Sequence, residues 1–105
     1  MELIDNKSNH LSLIVGQFGF KFVPVFAEII SSKYGYHTYD KPVVGTEFVA
    51  WDMIKGKSMI SICHNGGRPL QIDSLCSTGD MLLKKLQEQL PTIVKDAKYD
   101  EFRTE

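Results

Sequence analysis

The chain has little of what would place it quickly. Two cysteines, Cys63 and Cys76, are too few for a disulfide framework, although one bridge is arithmetically possible. Four scattered prolines make no linker, and no repeat or low-complexity run divides the chain. Neither sign of charge dominates: twelve Lys and Arg stand against thirteen Asp and Glu, giving a formal charge of −1 and a pI near 6.3. That balance argues against a protein that holds nucleic acid through a basic patch. Long hydrophobic runs are missing too. The most apolar stretch, Leu11 to Ala27, is broken by Gly16, Gln17, Gly19 and Lys21, whereas a membrane span needs about 18 nearly uninterrupted apolar residues. Met1-Glu2-Leu3-Ile4-Asp5 carries acids where a secretory leader would carry Lys or Arg. These absences predict a cytoplasmic chain with free thiols, no membrane contact and no nucleic-acid partner.

What is present is an ordinary globular composition. With 105 residues, 43% hydrophobic and 24% charged, the chain suits a single domain over residues 1–105. Folding buries roughly 60–70% of the surface of so short a chain, enough for one modest core. Residues 47–73 read as strand. Glu47 to Ile54 is rich in β-branched and aromatic residues, Lys55-Gly56-Lys57 supplies a turn, and Ser58 to His64 alternates with period two. Asn65-Gly66 signals a hairpin of type I′, and Leu70 and Ile72 alternate with Gln71 and Asp73 beyond it. Three antiparallel strands in a meander follow from this pattern.

Helices flank the meander in sequence. Phe22, Phe26, Ile29, Ile30 and Lys33 trace one face of a helix with Pro24 in its first turn and Gly35 as its stop. Leu11 to Val15, before it, reads equally as strand or helix. Ser77 is placed to cap a second helix, with Asp80 returning the bond, and Leu82, Leu83, Leu86 and Leu90 form its apolar stripe. Pro91 should end or kink it, leaving Ile93 and Val94 in a further helical piece before a frayed tail over 99–105. The expected fold is α+β: a three- or four-stranded antiparallel sheet with an N-terminal and a C-terminal helix packed on it, in two layers.

Few residues announce chemistry. Cys63 and His64 are neighbours on a strand and so point to opposite faces. Cys76 stands before a helix start, where thiolate is favoured, yet no CxxC partner accompanies it. His10, His37, Cys63, His64 and Cys76 match no zinc spacing. Gly66-Gly67 lacks the Lys-Ser/Thr of a phosphate loop. Asp52 and Asp73 can lie on neighbouring strands, where a solvated sheet face is their default setting. No catalytic residue, cofactor or metal is therefore expected. An enzyme or ligand-binding domain built on Cys76 with His64 or His37 is the alternative, and a subunit that self-associates through a sheet edge is another.

The most unusual segment is Tyr34-Gly35-Tyr36-His37-Thr38-Tyr39-Asp40-Lys41-Pro42. Tyrosine offers wide amphipathic contact at low entropic cost, and Trp51 and Arg68 are also favoured interface anchors. Tyr36, His37, Tyr39, Asp40 and Trp51 are thus the candidate partner-binding residues. In architecture and composition the chain resembles the small immunity proteins of bacterial contact-dependent and polymorphic toxin systems. The resemblance implies a non-catalytic module that binds and neutralises a cognate toxin domain. It also implies a contact surface built from the tyrosines and from local acids such as Asp40, Glu47, Asp52 and Asp73, because net charge is near neutral.

Overall fold

The computed structural model describes residues 1–94. The elements in chain order are β1 (Glu2–Asp5), β2 (Leu11–Gly16), α1 (Phe22–Tyr34), β3 (His37–Thr38), β4 (Val43–Val44), β5 (Phe48–Lys55), β6 (Ser58–Asn65), β7 (Leu70–Ser74) and α2 (Ser77–Val94). All strand pairs are antiparallel, in the order β1-β2-β7-β6-β5-β3, with β4 beside β3 on the outer edge of β5. The expected meander is β5–β6–β7. Seven strands replace the expected three or four, because two extra strands enter before α1 and two short ones after it. Leu11–Val15 resolves as strand, and α1 is consequently not the first element.

Period two sorts the strands into two faces. Leu13, Met53, Ile60, Ile62, Leu70 and Ile72 lie on one face and are at most 1% exposed. Onto that face pack Val23, Phe26, Ala27, Ile29 and Ile30 of α1 and Leu82, Leu83, Leu86 and Leu90 of α2. Full burial of each Leu, Ile or Phe contributes about 1.5–3 kcal/mol, so this single layer contact holds the domain together. Among the described residues no helix packs on the other face of the sheet.

The helix ends explain two departures from the sequence reading. Gly35 closes α1 as expected, in a left-handed conformation with φ 79° and its N–H on Ser31 O. At α2, however, Cys76 and not Ser77 occupies the cap: the thiol accepts the Gly79 N–H at 3.4 Å and the Cys76 carbonyl accepts the Asp80 N–H. Asp80 reaches away from the helix start, to His10 Nδ1 at 3.0 Å and the Leu11 N–H at 2.9 Å. Pro91 does not end α2, which runs on to Val94. Its missing N–H removes the bond to Gln87 O, but Leu90 is buried and Ile93 and Val94 pack on the core, which keeps the last turn helical.

The β6–β7 turn also differs. Its i to i+3 bond joins Arg68 N–H to Asn65 O, and positive φ falls on Gly67 at 79°, not on Asn65. That is the position a type II turn assigns to glycine, so the hairpin is present with a different turn. The expected frayed tail lies outside the described residues. Among the described residues no helix is long and apolar enough to cross a membrane.

Candidate functional site

The open face of the sheet brings together residues that are far apart in sequence. Register places Asp52 opposite Ser61, Ser61 opposite Asp73 and Asp73 opposite Ser12, a row across four strands. The next row holds Ala50, Cys63, Gln71 and Ile14. Ile54 pairs with Met59, and Ile4 with Ser12. The strand positions of this face include no lysine or arginine.

Asp73 is the hub of the row. Its Oδ1 accepts from Ser12 Oγ at 2.6 Å and from Gln71 Nε2 at 2.8 Å, and Cys63 Sγ lies 3.7 Å from Oδ2. Ser12 is 1% exposed, so its hydroxyl is committed to this bond and to the Asn6 amide at 3.3 Å. Burial pushes the Cys63 thiol up to about 11; the Ser61 hydrogen bond opposes this and neighbouring Asp73 and Asp52 reinforce it. Cys63 is therefore a neutral thiol and a weak nucleophile. Depressions of about 540 and 470 Å³ lie on either side of Asp73, one reaching Ile4 and Leu75, the other Phe48 and Arg68.

The predicted tyrosine-rich segment forms the sheet edge beside this face. His37 and Thr38 pair with Ile54 and Met53, the Tyr39 N–H bonds Asp52 O at 2.9 Å, and Val43 and Val44 pair with Ala50 and Val49. Between the two short strands the chain bulges through Asp40 at φ 62° and Pro42. The five candidate residues separate accordingly. Tyr36 is 6% exposed in the core, and its hydroxyl shares a hydrogen bond with Ser58 Oγ at 2.6 Å. Trp51 lies against the core and donates from Nε1 to Thr38 Oγ1 at 3.0 Å. His37, Tyr39 and Asp40 are exposed, and Val43 joins them at 61%.

The groups considered for catalysis are not brought together. Cys63 faces the open side, while His64 lies on the helix side, 7% exposed, with the Phe20 ring edge-on at 4.3 Å. Among the described residues His64 Nδ1 has no hydrogen-bond partner. Cys76 Sγ contacts Ser58, Met59, Thr78 and Gly79, none of which supplies a histidine or a carboxylate as base. Among the described residues no three His, Cys, Asp or Glu side chains converge as metal ligands would. The open face thus presents Asp52 and Asp73 beside Ala50, Ile54 and Met59, with Asp73 held by Ser12 and Gln71. No protein family, curated protein or solved structure matches the chain.

Proposed function

We propose that the protein is a non-catalytic protein-binding module of the toxin-immunity kind, which neutralises a cognate bacterial toxin domain by covering it with the open face of its sheet. The observation that carries this reading is the row Asp52–Ser61–Asp73–Ser12, set among apolar neighbours on a face whose strand positions carry no lysine or arginine. Such a face suits a partner with a basic patch: the carboxylates steer its approach and Ala50, Ile54, Met59 and Val43 supply contact area. Tyr39 and His37 extend the surface along the β3–β4 edge.

The test is purification of the tagged protein from its native cells with its stoichiometric companion, followed by binding of that companion to Asp52→Lys and Ala50→Arg variants. A companion whose expression alone arrests growth, and whose affinity falls by roughly 100-fold with Asp52→Lys, supports the reading. A companion without toxicity, or one that binds both folded variants as tightly as the native protein, overturns it.

A further inference from the structure

The lysines of this near-neutral chain are not spread evenly. On the helix side of the sheet, where the end of α1, the β5–β6 turn and α2 meet, lies a cleft of about 720 Å³ lined by Lys33, Lys55, Lys57 and Lys85. Among the described residues no Asp or Glu lines it. Lys55 Nζ donates to the Tyr34 carbonyl at 3.0 Å; among the described residues the other three ammonium groups make no hydrogen bond or ion pair. Four like charges around one cleft repel one another and focus a positive potential into it. The composition does not force this arrangement, since acids outnumber bases overall.

The rest of the cleft is built for more than a bare ion. Ser58 and Thr78 also line it, and Met81, 61% exposed, stands beside buried Leu82 as an apolar wall. Its volume falls within the range of small-molecule sites. Lysine is a common phosphate ligand because its compact ammonium acts as a point charge. We propose that this cleft binds a phosphorylated small molecule, with its phosphate among the lysines and its organic part against Met81 and Leu82. The site is independent of the sheet face, with which it shares no residue.

Titration calorimetry with inorganic phosphate, phenyl phosphate and pyrophosphate tests it, alongside sulfate as a control. Pyrophosphate binds saturably at one site, phenyl phosphate binds more tightly than inorganic phosphate, and sulfate binds more weakly than either. The double variant Lys57→Ala/Lys85→Ala keeps its circular dichroism and loses roughly tenfold or more in pyrophosphate affinity, since charge-assisted hydrogen bonds are the strong ones. Lys84→Ala, exposed on α2 outside the cleft, changes nothing. Absence of saturation at millimolar pyrophosphate overturns the proposal. So do sulfate binding of equal strength, phenyl phosphate binding no tighter than inorganic phosphate, and equal loss in the Lys84→Ala protein.

Discussion

Cys76 Sγ accepts the backbone N–H of Gly79 at 3.4 Å, so a thiol performs the capping task usually given to a hydroxyl or carboxylate. Burial pushes this thiol up, but hydrogen bonds from Thr78, the Met59 and Gly79 N–H groups and Ser58 outweigh it and bring it down to about 7. Cys63 sits near 11. Iodoacetamide at neutral pH should therefore modify Cys76 in the folded protein and leave Cys63 untouched until denaturant is added, with a rate that rises through pH 7. Equal labelling of both thiols in the native state contradicts this ordering.

The same thiol makes stability depend on pH. Its folded value of about 7 lies below the ordinary 9.0, so the thiolate is the better-held form in the native state. That stabilisation is fully present above the unfolded value and is lost as pH falls through the folded one. Urea midpoints of the native protein relative to Cys76→Ser should rise between pH 7 and pH 9, and a flat difference across that window argues against the assignment.

Asp80 ties α2 to the turn before β2. Burial pushes its carboxyl up, but the bonds from His10 and the Leu11 N–H, together with the His10 charge, hold it below the ordinary 3.8. A depressed carboxylate stabilises above its unfolded value, and that contribution disappears as pH falls through the folded one. Asp80→Asn is expected to cost about 1–3 kcal/mol at neutral pH and to soften the loss of stability in acid. Denaturant titrations at neutral and acid pH measure both effects.

Gly79 lies in the first turn of α2, where alanine would ordinarily gain up to about 1 kcal/mol in helix propensity. Here an added Cβ would stand 2.5 Å from Ser74 Oγ and 3.1 Å from Met59 O. Ser74 is fully buried and its hydroxyl donates to Cys76 O at 2.7 Å, so it has little room to retreat. Gly79→Ala should destabilise the protein by roughly 1–3 kcal/mol, as overpacking does. A raised melting temperature would show that the helix start yields.

Tyr36 and Tyr39 should part company under mutation. Tyr36→Phe removes the bond to Ser58 and is expected to cost about 1 kcal/mol, whereas Tyr36→Ala opens the core at about 3–5 kcal/mol. Tyr39→Ala, at a site 49% exposed, leaves stability unchanged and so reports cleanly on partner binding. Thermal melts of the three variants distinguish the roles.

The β5–β7 meander is legible in the sequence because each strand is long and alternates, so its two faces can be read before the register is known. Met59, Ser61 and Cys63 do share one face, and Ile60, Ile62 and His64 the other. β1, β3 and β4 are two to four residues long and mostly exposed, so they leave no periodic trace and owe their existence to pairing with a neighbour. Pro91 misleads because propensity is local while the burial of Leu90 is not. Asp73 can be suspected from its strand, but its partner Ser12 cannot, since a hydrogen bond across 61 positions follows only from topology. The same holds for the lysine cleft, whose four ammonium groups come from α1, β5, the β5–β6 turn and α2.

The pairing of β2 with β7 carries a kinetic consequence. The meander and α2 are local and can form early, but Ser12 reaches Asp73 only after a long loop has closed. Loop closure thus sets the β2–β7 pairing after the meander as the expected order, and Ser12 of that hairpin ends the row. A chain that has formed only the meander already presents both carboxylates of the row, but Asp73 gains its Ser12 partner, and with it a fixed orientation, only once the long loop has closed.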